Sequence, residues 1–165
     1  MENNTVKIEK QRINFRCKIN NCSKSCCGVF AGITSNLFNI ETRPFEEIVL
    51  TDDDYKKIYN NGYVDLIDED GYSKHMNKHY KKMALNKDGS CRAFVNGKCR
   101  INKIKPTLCI AFPFYFDMFT GLCAVKCEGF SDNDWTELND HKESFDAARK
   151  MYEFWIDFYT ERNVK

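Results

Sequence analysis

Hydrophobic residues recur at three-and-four spacing near the end of this chain, at Phe145, Ala148, Tyr152, Trp155 and Tyr159. That period belongs to one face of a helix. Leu138, Met151, Phe154 and Phe158 widen the stripe, and Ser131 or Asp132 stands where a cap is needed. The pattern predicts a helix over residues 133–161, with a break near Asp140-His141, packed over the rest of the chain. An aromatic surface for a partner is the alternative reading of the same stripe. A second helix is signalled at Thr51, an N-cap followed by Asp52, Asp53 and Asp54, where the helix dipole favours carboxylates. Tyr55, Ile58 and Tyr59 share its apolar face, and Asn60-Asn61-Gly62 ends it. A calcium or magnesium site at the three aspartates is the other reading, but no EF-hand spacing follows.

Elsewhere the apolar runs are short. Residues 5–8, 36–40 and 45–50 alternate weakly and read as short strands, with Pro44 separating the last two. Residues 114–116 read as a strand that turns at Thr120-Gly121 and returns over 122–126. Asp68-Glu69-Asp70-Gly71 reads as a solvated acidic turn. Residues 73–85 fit a helix or an extended segment. On a helix, His75 and His79 would share a face and could hold a metal. Among Lys74, Lys78, Lys81 and Lys82 they read more simply as surface histidines. Asn96-Gly97 between two short apolar stretches is a strong hairpin signal.

Composition narrows the class. The chain has 165 residues, 42% of them hydrophobic, with 13 Phe and 8 Tyr, enough for one core. We expect an arm at residues 1–14 and a single domain at 15–161. A net charge of +1 gives no electrostatic case for nucleic-acid binding. The longest apolar run, residues 108–116, holds a proline and is far short of a membrane span. Residues 1–13 lack the apolar stretch of a secretory signal, so a cytoplasmic location is expected, where thiols stay reduced.

That compartment matters because of the nine cysteines. Cys17, Cys22, Cys26 and Cys27 fall within eleven residues. Cys91, Cys99, Cys109, Cys123 and Cys127 follow. The reducing location and the odd count weigh against a disulfide framework. Thiolates suit zinc, copper(I) and iron–sulfur clusters, so all nine are candidate metal ligands. Cys17, Cys22 and one of Cys26 or Cys27, completed from the 91–127 region, form the favoured set. Cys26 and Cys27 are adjacent, which suggests that they serve two centres or leave one thiol free. Gly28 and Gly32 suggest tight turns beside a cluster.

The hairpin register bears on ligation. A two-residue turn pairs Phe94 with Cys99 and puts Cys91 and Cys99 on opposite faces. A three-residue loop pairs Val95 with Cys99 and puts both on one face, as a shared metal would favour. Lys105-Pro106-Thr107-Leu108-Cys109 reads as a helix start with Pro106 at the first position. A thiol in that first turn is expected to have a depressed pKa. Cys123 and Cys127 could reach one metal on a helical turn or tight loop. Phe15, Phe30, Phe94, Phe112, Phe114 and Phe116 would shield a cluster, which favours iron–sulfur, as a 4Fe–4S cluster, over zinc.

No glycine-rich dinucleotide fingerprint, P-loop, Gly-x-Ser-x-Gly elbow or His-Glu-x-x-His motif occurs. No catalytic residue is identifiable. The expected fold is α+β: a small cysteine-rich single domain, with short strands and a hairpin around a metal or iron–sulfur site, packed by a long C-terminal helix.

Phe15-Arg16-Cys17, Cys22, Cys26-Cys27, Cys91, Cys99 and Cys109 followed by Phe112-Pro113-Phe114 resemble the YkgJ-type cysteine-cluster family, described as a zinc- or iron-chelating domain. The gaps in the first element are four and three residues here, where that family has two. Lys105-Pro106 stands where the family has arginine-proline. The wider first element, with Asp88-Gly89-x-Cys91, resembles the flagellin lysine N-methylases. That second resemblance implies an iron–sulfur centre, S-adenosylmethionine and a protein or peptide substrate. Three functional expectations follow: a cysteine-ligated metal or iron–sulfur protein, a cluster-dependent N-methylase-like enzyme, and a zinc-stabilised interaction module.

Overall fold

The apolar runs of this chain are short, and so are the strands that they build. The computed structural model describes residues 7–18, 26–27, 47–125 and 127–160. In chain order the elements are β1 (Ile8–Glu9), β2 (Arg12–Ile13), β3 (Val49–Leu50), α1 (Asp52–Asn60), β4 (Ile67–Ser73), β5 (Lys78–Met83), β6 (Phe94–Val95), β7 (Lys98–Cys99), α2 (Thr107–Ala111), β8 (Phe114–Asp117), β9 (Gly121–Ala124), β10 (Thr136–Glu137) and α3 (Lys142–Thr160). Every strand pairing is antiparallel. The result is a small α+β fold with a long C-terminal helix. No helix among the described residues is long and apolar enough to cross a membrane.

Residues 7–14, expected within an arm, carry a hairpin. β1 pairs with β2, and β2 pairs on its other side with β10. Ile13 is fully buried, and the Asn14 side chain accepts from the Lys7 amide at 2.9 Å. The second sheet has the order β3-β5-β4. Its long pair settles the ambiguity over residues 73–85 in favour of extended structure. His75 therefore lies in the connecting turn and His79 on β5, where its ring meets that of Tyr72. The acidic stretch is also strand rather than loop. Asp68 lies opposite Lys82, whose ammonium also meets Glu47, and a register shift between Asp68 and Gly71 absorbs the irregularity. Opposite charge across the strands outweighs the low strand propensity of the carboxylates.

α1 forms as its sequence directs. The Thr51 hydroxyl accepts from the Asp54 amide at 3.1 Å, and the Asp54 carboxylate accepts from the Thr51 amide at 3.3 Å, closing a capping box. Ile58 is its fully buried anchor. The C-terminal helix is shorter than its stripe implies. Residues 136–137 are strand and 138–141 a 3-10 turn, so the break expected at Asp140-His141 is where α3 begins. Its buried residues are Ala147, Ala148, Met151 and Phe158, with Trp155 only half-buried.

Two apolar clusters form the core. One joins Ile48, Leu50, Ile58, Leu66, Met83, Cys91, Ala93 and Ile101. The other joins Ile13, Phe15, Ala111, Phe114, Ala147 and Ala148. The short helix α2 connects them, giving Leu108 and Cys109 to the first and Ile110 and Ala111 to the second. α3 packs against α2 and β8. The strand expected at residues 36–40 and the glycines at 28 and 32 lie outside the described residues.

Candidate metal centre

Three cysteines belong to the first cluster, Cys91, Cys99 and Cys109, and the 26–27 turn is held to them. Cys91 and Cys99 flank the β6–β7 hairpin. Asn96 (φ +50°) and Gly97 (φ +74°) make its two-residue turn, and Phe94 lies opposite Cys99. This is the register expected to divide the two thiols. It does not, because Cys91 lies outside the strand. The Phe94 amide donates to the Cys91 carbonyl at 2.9 Å, closing a turn over residues 91–94 that breaks the alternation of faces. Cys109 sits on α2. The Cys26-Cys27 pair is drawn to the hairpin by the Cys91 amide, which donates to the Cys27 carbonyl at 3.3 Å.

These thiols feel one another. Cys26 and Cys27 share a side-chain hydrogen bond, and Cys27 is within electrostatic reach of Cys109 and Cys99. Cys109 is within reach of Cys91, Cys26 and Cys99, and Cys91 of Cys99. Five thiols are thus brought to one locality, and three of them, Cys91, Cys99 and Cys109, share an apolar cluster with Phe94, Ile101, Ile104 and Leu108.

Their protonation differs sharply. The hydrogen bond from Cys27 lowers the Cys26 pKa to about 7 against the pull of desolvation, with nearby Lys105 assisting. Cys27, which donates the shared proton, is pushed up by that bond and then by burial. Burial raises Cys109 most strongly, with the neighbouring thiols adding to it. The depressed pKa expected for Cys109 from its place in a helix is overturned: α2 has five residues, too few for a strong dipole, and desolvation wins. Cys91 is raised by burial too. We expect that iodoacetamide labels Cys26 before Cys27, Cys91 and Cys109 in the reduced, metal-free protein. Its rate should climb through about pH 7 and level off above it, as thiolate fraction dictates. Peptide mapping after a timed pulse measures this, and equal labelling of Cys26 and Cys109 at pH 7 would contradict it.

Cys123 and Cys127 lie elsewhere. Cys123, on β9, shares a hydrogen bond with the Thr120 hydroxyl at 3.0 Å and faces Tyr115 across the hairpin. Burial, then the charge of Cys123 and a bond to it, push Tyr115 up to about 12. The Cys127 sulfur accepts from the Gly129 amide at 3.4 Å and packs on the Phe15 cluster. Cys17 is exposed, one residue past Arg16, whose amide donates to the Gly129 carbonyl at 2.9 Å. Cys22 lies outside the described residues. Of the expected aromatic shield, Phe94 packs with Cys91, Cys99 and Cys109. Phe15, Phe114 and Phe116 line the other cluster, and Phe30 lies outside the described residues.

His141 lies at the helix break expected from sequence. It sits among the rings of Phe15, Phe114 and Phe145. The Thr136 hydroxyl lies 2.6 Å from both the Phe15 carbonyl and His141 Nε2. Its proton goes to the carbonyl, which can only accept, so Nε2 carries the imidazole hydrogen and Nδ1 is bare. Desolvation lowers the His141 pKa below its ordinary 6.5, with Asp140 opposing. A lowered folded-state value means that the unfolded chain binds the proton first. Stability therefore falls as pH drops through about 6.5 and levels off below the folded-state value. The thermal midpoint should trace this step in the wild type and not in His141→Phe; an identical step in both would contradict the assignment.

Among the described residues, no three His, Cys, Asp or Glu side chains are arranged closely enough to hold an ion as they stand. The five thiols approach one another without closing. Ligation requires each thiol to lose its proton, and a bound cation offsets the repulsion between the thiolates that result. The donor chemistry, all sulfur with one lysine nearby, nonetheless fits a thiophilic metal. No family model matches the chain, and comparison with curated proteins and with solved structures finds none similar to it.

Proposed function

We propose that this chain is a thiolate-ligated metal-binding domain, whose centre is held by Cys91, Cys99, Cys109 and the Cys26-Cys27 pair. The supporting observation is the packing of Cys91, Cys99 and Cys109 in one apolar cluster, with the 26–27 turn held to it by the Cys91 amide. Packing alone gives no reason to gather so many weakly polar, reactive groups. The hairpin supplies two ligands with seven residues between them, the helix one, and the 26–27 turn the rest. Zinc knuckles draw paired thiols from two-to-four-residue spacings. This arrangement is looser and offers more than four sulfurs, which favours an iron–sulfur cluster, 4Fe–4S in the simplest case. A cluster bound there would supply a redox-active iron centre. The chain's own part is to desolvate Cys91 and Cys109, to hold Cys26 as the first thiolate, and to set Lys105 near the negative charge that ligation creates.

Anaerobic purification followed by iron, sulfide and zinc analysis tests the proposal. A brown protein with iron and sulfide is expected. A colourless protein with stoichiometric zinc would overturn the iron–sulfur assignment, and protein free of any bound metal after reconstitution would overturn metal binding itself.

A further inference from the structure

We infer that Asp54 is a positioning residue of the thiol centre, its buried carboxylate tying the first turn of α2, and with it Cys109, to the first turn of α1. The inference rests on the metal-binding reading above and assigns to that site a residue that is not a ligand.

Asp54 is 1% exposed, although it stands in the acidic first turn of a surface helix. One carboxylate oxygen, Oδ2, accepts from the Thr51 hydroxyl at 2.9 Å and from the Thr51 amide at 3.3 Å. The other, Oδ1, accepts from the Thr107 amide at 3.0 Å and from the Thr107 hydroxyl at 2.9 Å. Two helices 53 residues apart in sequence thus begin on a single carboxylate. No ion pair to Asp54 occurs among the described residues, so these four donors carry the burden of a buried charge.

Thr107 lies two residues before Cys109. α2 has only five residues and no side chain of its own caps it, so its orientation depends on anchors outside itself. Asp52 and Asp53 are exposed and cannot serve. The charge of Asp54 is felt at Cys109, where it opposes thiolate formation. What Asp54 gives the centre is therefore geometry, and a test has to remove the tie while leaving the charge. Thr107 allows this. Thr107→Val deletes the hydroxyl bond. Thr107→Pro deletes the amide bond as well, at a helical first position that proline accepts, and Pro106 already has the extended backbone (φ −56°, ψ 149°) that precedes a proline. Thr107→Ser keeps both bonds.

The probe is Co(II), titrated anaerobically into the reduced full chain and read by sulfur-to-cobalt charge-transfer absorbance and by the d–d bands. We expect Thr107→Ser to match the wild type. Thr107→Val should bind more weakly, and Thr107→Pro more weakly again, by about 10- to 100-fold as is typical when a supporting partner of a ligand is lost. The d–d bands should shift as Cys109 is displaced. Ile13→Val, in the other apolar cluster and in contact with neither Asp54 nor the thiols, controls for stability: its thermal midpoint should fall while its Co(II) affinity holds. If Thr107→Val and Thr107→Pro lower only the thermal midpoint, with affinity and bands unchanged, Asp54 is a structural cap and the inference is wrong. Should Thr107→Pro fail to fold, Thr107→Val decides alone, and wild-type affinity with wild-type bands overturns the inference. Wild-type protein that binds no Co(II) overturns the metal-binding reading and this inference with it.

Discussion

Phe15→Ala is expected to destabilise the protein by about 3–5 kcal/mol, the usual cost of emptying a phenylalanine site in a core. Phe15 is almost fully buried and lies edge-on to Phe114 at 5.1 Å between ring centroids, tilted against Phe130 at 4.8 Å and against His141 at 5.3 Å. Its backbone is fixed as well. Its carbonyl accepts from Thr136, and it bridges to Phe130 across an antiparallel step. Gly129 shows how tightly the ring is held: a Cβ there would lie 2.6 Å from Phe15 Cε2 and 2.7 Å from the Arg16 carbonyl oxygen. With the Gly129 backbone close against the ring, the pocket collapses only in part around an alanine. Domain stabilities run to about 5–15 kcal/mol, so one substitution takes away a large share. The thermal midpoint should fall by about 10 °C or more. Urea unfolding of the metal-free protein gives the value directly, and a loss under about 1 kcal/mol would show that the ring cluster is not a core.

Phe15 also marks where sequence reasoning stopped short. It reads as one wall of a cluster shield, because it lies two residues before Cys17. Its burial is against Phe114 on β8, Phe130 and His141, each at least 99 positions away in the chain. Local signals were legible: the Thr51 cap, the Asn96-Gly97 turn, the Thr120-Gly121 return and the helix break at His141 are each set by residues within a few positions. The acidic strand β4 was not legible, because its support is Lys82 on the neighbouring strand. Asp54 shows the limit most clearly. Its role in the capping box is readable from Thr51, three residues before it. Its bond to Thr107 depends on tertiary placement alone, and nothing in the local pattern separates it from the exposed Asp52 and Asp53. Cys91 and Cys99 illustrate the same limit at the candidate centre. Face alternation holds only within strands two residues long, and the 91–94 turn resets the direction of the first thiol.

The thiol partition yields the second large effect. Single Cys→Ser substitutions at 91, 99 and 109, and the double substitution at 26 and 27, should abolish stoichiometric metal. Cys17→Ser and Cys123→Ser should retain it. Binding free energies for structural thiolate sites reach about 10–16 kcal/mol, as large as the whole stability of an ordinary domain. Loss of a ligand should therefore outweigh any packing change at the same position, since serine nearly matches cysteine in size. Cys109 separates the two contributions. In metal-free protein its thiol is neutral and desolvated, so Cys109→Ser costs only the burial of a hydroxyl, about 1–3 kcal/mol. In metal-loaded protein the same change removes a ligand. The gap between wild type and Cys109→Ser should thus widen several-fold on reconstitution, whereas the gap for Cys123→Ser should not move, its sulfur being engaged with Thr120 and Tyr115 on the other hairpin. Denaturant unfolding with and without reconstituted metal, with metal counted by mass spectrometry, measures both gaps. Equal gaps with and without metal at Cys109, or full metal content in its serine variant, would remove that thiol from the centre and leave its burial as packing alone.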